Sequence, residues 1–364
     1  MKLSAKKDKM AEALQMAFPI VPARSPKPIL QNLCIIAEEN LVRILATDLE
    51  LGIWCDVKDV TIEETGKAAV PARELSAIVR SMPDEEIRFE GSATDCTVKG
   101  AGAVYHLRGE NPADYPEVPD FEGDATFSVS AGDFFRMIEL TAFCAARERR
   151  RYALNGIHLT AKESTLELTA TDMKRLAIIK KKIRGKVGEK KLILPTKALT
   201  HLPRMAKPDE ESIDVLLEDN VVLFRTSLGV LCSRQIEGQF PPCESVIPTG
   251  YEIKVELPRE NFEVAVERAA ILSNEDAKSV RLSFEKGKLT LSSQSSDLGS
   301  AKIEMPINYK WDKLEIGFNP VFLTEALKRF ATDTVTFELK ETTLPGVIRG
   351  EPDYIYVVMP LTLV

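Results

Sequence analysis

Residues 168–178 read LTATDMKRLAI, and a similar phrase, LATDLELGI, occupies residues 45–53. A third and more divergent phrase, SQSSDLGSAKI, occupies residues 293–303. The aspartates of the three phrases lie 124 and 125 residues apart, at Asp48, Asp172 and Asp297. A constant interval of this kind indicates an internal repeat, which decides the fold class before any single element is assigned.

A second landmark repeats with the same steps. The segments VPARELSAIV, LPTKALTHL and FNPVFLTEAL each carry a proline, and these prolines are again 124 and 125 residues apart, at Pro71, Pro195 and Pro320. Because two independent landmarks agree, the sequence predicts three tandem copies of one module. We expect domains at residues 1–122, 123–250 and 251–364, joined through the proline- and glycine-rich segments 109–125 and 238–252.

Each copy shows the same order of patterns. An amphipathic helical period comes first, then alternating runs typical of a β-hairpin, a further strand, a second helix and more strands. The predicted helices are 6–18, 131–144 and 259–271 at the start of the copies, and 72–81, 196–205 and 320–330 after the prolines. Ser4 and Ser130 are candidate N-caps. The fold class is therefore α+β, with two helices packed on antiparallel sheets in each copy.

Composition excludes several classes of protein. With 44% hydrophobic and 28% charged residues the chain is typical of a soluble globular protein, and it has no apolar run long enough to span a membrane. The N-terminus lacks the apolar region of a signal peptide, so we expect a cytoplasmic protein. Six cysteines without a C-x-x-C pair and three scattered histidines predict no metal centre and no cofactor.

The distribution of charge is more informative than the net charge of −7. Basic residues recur on the corresponding helices of all three copies, whereas acidic residues concentrate in turns and linkers. On one helix such residues more often form an ordinary solvated face. Across six matching helices the pattern favours a shared basic surface that contacts the phosphate backbone of duplex DNA without reading its sequence.

The chain resembles the bacterial sliding clamps, the beta subunits of the DNA polymerase III holoenzyme. The resemblance spans essentially the whole chain. It rests on RRYALNG (150–156), ATDMKRLA (170–177), FPPCESVIP (240–248), RAAILSNE (268–275), EIGFNP (315–320) and YVVMPLTLV (356–364). It implies a homodimer that forms a six-domain ring around double-stranded DNA, is loaded by a clamp loader, and tethers the polymerase alpha subunit and other proteins with clamp-binding motifs.

The resemblance also implies site residues. A pocket for partner peptides is expected at Leu154, Thr171, Met173, Lys174, Arg175, Leu176, Pro241, Val246, Asn319, Phe322, Val357, Met359, Pro360 and Leu361. DNA contacts are expected at Arg24, Arg73, Arg147, Arg149, Arg150, Tyr152 and Lys197. Ile271 and Leu272 are candidates for the dimer interface. The chain departs from the common family pattern at Met173, Lys174, Cys243, Ser245 and the terminal LTLV.

Two other readings remain open at this stage. An enzyme would need catalytic groups, but the repeated aspartates follow a strand at the same place in every copy, with no histidine or second carboxylate at fixed spacing. A turn role for them is favoured, and no catalytic residue is predicted. A triplicated scaffold that binds only proteins would keep the pocket but would not need basic helices.

Overall fold

The computed structural model describes residues 1–83, 85–92, 94–148, 152–209, 212–273, 279–296 and 298–362, and for Tyr152 and Glu244 it describes the backbone alone. Among these residues no helix is both long enough and apolar enough to cross a membrane. The chain forms two compact units. The first contains Met1–Phe135, Ile183–Val187 and Lys197–Gln235, and the second contains Arg136–Lys182, Gly188–Thr196 and Ile236–Val364.

Six α-helices are present in the described residues. They are α1 (Lys7–Ala17), α2 (Ala72–Ser81), α3 (Ala131–Thr141), α4 (Thr196–His201), α5 (Arg259–Ala270) and α6 (Pro320–Leu327). Short 3-10 turns continue α3 and α4, at Ala142–Cys144 and Leu202–Arg204.

The strands fall into three sets that follow the three copies. The first set is β1 (Lys2–Lys6), β2 (Asn32–Ala37), β3 (Val42–Thr47), β4 (Leu51–Val57), β5 (Val60–Glu64), β6 (Gly66–Pro71), β7 (Glu86–Gly91), β8 (Asp95–Gly100) and β9 (Ala103–Arg108). The second is β10 (Phe127–Ser130), β11 (Gly156–Thr171), β12 (Arg175–Pro195), β13 (Ser212–Leu217), β14 (Val221–Thr226) and β15 (Gly229–Arg234). The third is β16 (Ile253–Pro258), β17 (Val280–Glu285), β18 (Lys288–Ser295), β19 (Gly299–Pro306), β20 (Leu314–Phe318), β21 (Thr334–Leu339), β22 (Gly346–Arg349) and β23 (Tyr354–Val358).

In the first unit, two antiparallel sheets are covered by helices. One sheet has the order β5-β1-β7-β8-β9, and the other runs β10-β13-β14-β15-β4-β3-β2-β6. Helix α1 packs on α2 and β4 through one apolar face, which includes Met10, Ala13 and Leu14. Burial of such a face, rather than intrinsic propensity, stabilises a helix of this length.

In the second unit, the sheet order is β16-β21-β22-β23-β12, with β11 paired to β12, and a separate sheet runs β19-β18-β17-β20. Its core is aromatic. The ring of Phe337 lies 6.1 Å from that of Phe262, 6.3 Å from that of Phe284 and 5.5 Å from that of Phe318. Helix α5 packs against α6 and against β18 and β19.

Each unit contains a seam at which strands of two successive copies pair. In the first unit β4 pairs with β15, and Leu51 lies opposite Ser233. In the second unit β12 pairs with β23, and Arg175 lies opposite Val358. Leu51 and Arg175 occupy the same place in the repeat, three residues after the repeated aspartate. The two seams therefore have the same register, and the repeat extends to the way the copies are joined.

The predicted helix starts hold, but three sequence expectations were wrong in detail. A strand (β1, β10 or β16) precedes the first helix of every copy, and Ser4 lies within β1 rather than at a helix cap, which is Lys6. Ser130 does cap α3, since its Oγ accepts from the backbone nitrogen of Asp133 at 3.5 Å. The second helices of copies two and three end earlier than predicted, at His201 and Leu327. Pro203 follows the first of these ends and cannot continue an α-helix. After the second, residues 328–333 form turns that lead into β21.

The predicted hairpins are present in the first and third copies. Strands β2 and β3 pair in the first copy, and β17 and β18 pair in the third. In the second copy, where two strands were predicted, Gly156–Thr171 is a single strand, β11, in which Glu163 takes a φ of 54° at the predicted turn. The six cysteines are free thiols, five of them buried and Cys243 half-buried.

One buried titratable group sits under the helices of the first unit. His201 is 5% exposed, and its Nε2 atom has no hydrogen-bond partner. Burial, reinforced by the charge of Arg204, lowers the pKa of His201 to about 4, although a hydrogen bond with the backbone of Met16 opposes the shift. The imidazole is therefore neutral in the folded protein over the whole physiological range.

This histidine predicts a pH dependence of stability. The folded pKa lies below the unfolded value of about 6.5, so its stabilisation is complete above pH 6.5 and is lost as the pH falls towards 4. We expect the wild type to lose about 2 kcal/mol more than His201→Gln between pH 7 and pH 5. Urea unfolding followed at Trp54, in a Trp311→Phe background, measures this difference. Equal pH slopes for the two proteins would contradict the assignment.

Candidate functional site

The repeated aspartates build the same turn in the first two copies. In the second copy, Thr171 Oγ1 accepts from Met173 N at 3.0 Å and donates to the carbonyl of Arg175 at 2.7 Å. Asp172 Oδ1 accepts from the backbone nitrogens of Lys174 and Arg175 at 2.9 and 3.0 Å. The turn role predicted for the aspartates is thus confirmed here.

The first copy repeats these bonds with the same geometry. Thr47 Oγ1 accepts from Leu49 N at 3.0 Å, and Asp48 Oδ1 accepts from the backbone nitrogens of Glu50 and Leu51 at 3.1 and 2.8 Å. Leu49 and Met173 both take a positive φ, 77° and 73°, which costs a non-glycine residue about 1 kcal/mol. Asp297, the third landmark, lies outside the described residues.

The two turns differ in the residue that follows them. Leu51 of the first copy is an ordinary buried core residue. Arg175 of the second copy is also buried, at 8% exposure, yet it carries a charge. A buried guanidinium is tolerated only when its donors are satisfied.

Arg175 satisfies that requirement through three groups. Its Nε donates to Asp172 Oδ2 at 3.0 Å, its Nη2 donates to the carbonyl of Phe143 at 2.7 Å, and its Nη1 donates to a carboxylate oxygen of Glu325 on α6. The guanidinium also lies 4.6 Å from the ring centroid of Phe322. Burial alone would lower the pKa of Arg175, but surrounding groups that include the carboxylates of Glu325 and Asp172 outweigh it and raise the pKa above its ordinary value.

Beside Arg175 the second unit contains an apolar cavity of about 260 Å³. Its lining residues are Thr171, Met173, Arg175, Leu176, Pro241, Pro242, Cys243, Val246, Val357 and Met359. Three large apolar side chains at its rim are substantially exposed: Met173 at 54%, Val246 at 41% and Met359 at 36%. Exposed apolar groups gathered round a cavity are typical of a binding site rather than of a finished core.

One wall of the cavity is the connecting segment that follows β15. Cys243 and Ile247 of this segment pack on a buried cluster that includes Leu176, Val347 and Val357 of the sheet. Burial raises the pKa of the Cys243 thiol to about 11, and its Sγ donates to the carbonyl of Pro241 at 3.3 Å. The thiol is therefore protonated at neutral pH and acts as a small apolar group.

A groove of about 850 Å³ adjoins the cavity and shares Met359 with it. The structure distributes the residues expected in the peptide pocket between these two spaces. Thr171, Met173, Arg175, Leu176, Pro241, Val246 and Val357 line the cavity, whereas Lys174, Asn319, Phe322, Pro360 and Leu361 line the groove. Leu154 is buried and lines neither of them. Pro242 and Cys243 line the cavity but were absent from the expected set.

The residues expected to contact DNA have different surroundings. Arg24 and Arg73 in the first unit and Arg147 in the second are exposed, and no carboxylate of the described residues pairs with them. Lys197 pairs with Asp48 Oδ2 at 2.6 Å. Arg149 and Arg150 lie outside the described residues, and of Tyr152 only the backbone is described.

Several other helix cations do not form a free basic surface, which corrects part of the charge argument. Arg136 donates to Glu139 and Glu351, and Arg259 donates to Glu263 at 3.0 Å and to the carbonyl of Thr332 at 3.1 Å. Such side chains hold elements together. Sequence patterning does not distinguish them, because Glu351 is 215 residues from Arg136 in the chain.

Comparison with known proteins decides the family. Residues 1–119, 128–242 and 244–362 match the N-terminal, central and C-terminal domains of the DNA polymerase III beta subunit. The chain belongs to this family. It is accordingly a sliding clamp of DNA replication and a non-catalytic processivity factor.

Individual relatives agree over the full length. The chain is 28% identical to the beta sliding clamp of Chlamydia muridarum over 100% of this chain and 99% of the relative. It is 30% identical to that of Staphylococcus aureus, over 97% and 96%. The crystal structure of the sliding clamp of Bartonella birtlesii bound to griselimycin superposes with a TM-score of 0.93, at 30% identity and full coverage of both chains.

The buried arginine network of this clamp yields a second prediction. Arg175→Lys retains the charge but cannot reproduce the three-way donation, so we expect a loss of about 2–4 kcal/mol of stability. A double-mutant cycle with Glu325→Gln should give a coupling energy of about 1–3 kcal/mol by urea unfolding. The exposed pair Lys162 and Glu189, 3.6 Å apart, is the matched control, and we expect less than about 0.5 kcal/mol there. Additive effects of the Arg175 and Glu325 substitutions would refute the network.

Proposed function

We propose that this clamp acts as a head-to-tail homodimer, a ring of six modules that encircles duplex DNA in the cytoplasm and tethers the replicative polymerase. The clamp loader, the polymerase alpha subunit and other proteins with clamp-binding motifs are the proposed partners. The modules are those expected from the sequence, at 1–122, 123–250 and 251–364.

The observation that carries the proposal is the shared register of the two seams. At each seam the strand that follows the repeated aspartate of one copy pairs with the last strand of the next copy, as β4 does with β15 and β12 with β23. The corresponding strand of the third copy is β19, and the last strand of the first copy is β9. Each is the edge of its sheet within the described residues.

An open edge of this kind is a template for pairing with another chain. If β19 of one chain pairs with β9 of a second chain, the contact repeats the arrangement of the two internal seams. If β19 of the second chain also pairs with β9 of the first, the two chains form a closed ring. Val104 and Tyr105 on β9, and Ile271 and Leu298 near β19, are exposed apolar side chains that such a seam would cover. Ile271 is one of the two residues expected at the interface from the sequence.

The DNA contact proposed for this ring is electrostatic. Arg24, Arg73 and Arg147 are exposed and free of described carboxylates, so they are available to phosphates. Lys197 is held by Asp48, and it would exchange that partner for a phosphate at small cost because the lysine side chain is half exposed. Contacts of this type do not read sequence and permit sliding.

The cavity beside Arg175 is proposed as the anchor site for partner peptides. It is small, apolar and flanked by a longer groove, as expected for a short linear motif with one or two apolar anchors. The relative from Bartonella birtlesii holds the compound griselimycin, which shows that a clamp of this fold can accommodate a ligand.

The ring can be tested by cross-linking at the proposed seam. Gly229 and Tyr354, the first residues of β15 and β23, lie opposite Cys55 and Ile179, which are each seven residues after the repeated aspartate. The corresponding residues of the proposed seam are Ala103, the first residue of β9, and Glu304 of the second chain. We therefore expect these two residues to lie opposite each other. In a Cys243→Ser background, Ala103→Cys with Glu304→Cys should form a disulfide-linked dimer under oxidising conditions, since opposed Cα atoms lie within about 5.5 Å. The out-of-register pair Ala103→Cys with Ser300→Cys is the control.

Loaded on nicked circular DNA and then oxidised, the cross-linked protein should remain on the circle in denaturing detergent and be lost when the circle is cut. Retention that depends on salt but not on DNA topology would overturn the ring. A scaffold that binds only proteins would not be retained on either circular or cut DNA.

The anchor site can be tested with rim substitutions that leave the fold intact. Val246→Asp and Met359→Gln should weaken a fluorescent peptide with a Leu-Phe anchor at least about tenfold, because buried apolar contacts dominate such sites. Val264→Asp on α5 is the matched control, since Val264 is 45% exposed and lies outside the cavity lining. Unchanged affinity for both rim variants, measured by fluorescence anisotropy, would place the anchor elsewhere.

A further inference from the structure

The groove beside the cavity differs from it in chemistry. Among its described lining residues are three basic side chains, Lys174, Arg281 and Lys302, and no aspartate or glutamate. Most of the remainder carry hydroxyl or amide groups. In a chain with a net charge of −7 this is a local excess of positive charge, and we call it the cationic groove.

The register of the sheet arranges this charge along a line. Lys302 pairs with Ser292, Ser292 with Arg281, and Arg281 with Gly317, and an isolated bridge joins Gly317 to Leu361. Directly paired residues lie side by side across a sheet, so these five residues form one row. At about 4.8 Å per strand, Lys302 is roughly 19 Å from Leu361.

The row leads to the apolar cavity. Leu361 lies two residues after Met359, which lines both spaces, and the backbone nitrogen of Met359 is bonded to the carbonyl of Lys174 at 2.9 Å. Between Leu361 and Arg281 the row contains only Gly317, which contributes no side chain. An occupant anchored in the cavity could continue past Met359 into the groove, which Leu361, Arg281 and Lys302 also line.

The basic groups of the cationic groove are available to a ligand. Arg281 is 3.8 Å from Glu315, a carboxylate that already holds Lys313 at 2.8 Å. Lys302 shares Glu304 with Lys288, and its side chain is 66% exposed. No described carboxylate pairs with Lys174. Exposed pairs of this kind contribute less than about 1 kcal/mol, so incoming carboxylates can compete with them.

We propose that the cationic groove binds an acidic flank of the partner peptide whose apolar anchor occupies the cavity. The inference rests on the proposed anchor site and specifies the class of peptide that it prefers. A row of roughly 19 Å corresponds to about six residues of extended chain. The partners favoured by this clamp carry two or more aspartates or glutamates within that distance of the anchor.

The test compares three peptides with one Leu-Phe anchor, flanked by four serines, by four aspartates on the N-terminal side, or by four aspartates on the C-terminal side. One acidic peptide should bind at least about fivefold more tightly than the serine peptide at low salt, and this advantage should vanish near 0.5 M salt. Arg281→Gln with Lys302→Gln should remove the advantage and leave the serine peptide unaffected. Lys286→Gln is the matched control, because Lys286 is exposed in the turn between β17 and β18 and lies outside the groove.

The outcomes separate this inference from the proposal beneath it. If the serine peptide binds and is weakened by Val246→Asp, the anchor site stands, and equal affinities of all three peptides would then overturn the acidic flank alone. An acidic advantage that survives the double substitution would also overturn it. If the serine peptide does not bind, or is indifferent to Val246→Asp, the anchor site itself fails.

Discussion

The fold depends on one constraint, which is that the sheets of the first two modules are each completed by a strand from the next module. β15 completes the sheet that contains β4, and β23 completes the sheet that contains β12, in the same register each time. An isolated module would expose unpaired backbone groups along its edge, which invites aggregation. This constraint also explains why the compact units number two while the copies number three, because each unit is assembled around a seam.

A second feature shared by the first two copies is the turn at the repeated aspartate, which has the same hydrogen bonds in both but is followed by different residues. Asp48 and Asp172 fix the same backbone bonds, yet one turn leads into Leu51 and the other into Arg175. A buried arginine contributes little net stability compared with a well-packed leucine. The contacts of Arg175 explain why an arginine occupies this place in the second copy. Its guanidinium connects the turn, the 3-10 segment at Phe143 and helix α6 around the cavity.

Much of this architecture could be predicted from the sequence, because the signals involved are local. Features that depend on contacts between distant residues could not be predicted in this way. Helical periods at Met10 and Phe262 and the alternation around β2, β3, β17 and β18 are local signals that burial reinforces. The strands before the first helices were missed because segments of four to six residues, such as KLSAK, carry too little periodicity. The apolar cavity was anticipated through family resemblance, whereas the row from Leu361 to Lys302 emerges only from strand register. The ion pair of Arg136 with Glu351 likewise depends on tertiary proximity that no local pattern encodes.

The seams have a mechanical consequence for the proposed ring, which would have to open before it could encircle circular DNA. Two of them lie inside each chain, where the partners are covalently connected and no dilution can separate them. In the proposed ring of two chains, only the two seams between chains depend on protein concentration. Opening such a ring at one β9–β19 contact would leave the other five seams intact, so both chains would stay joined while DNA entered.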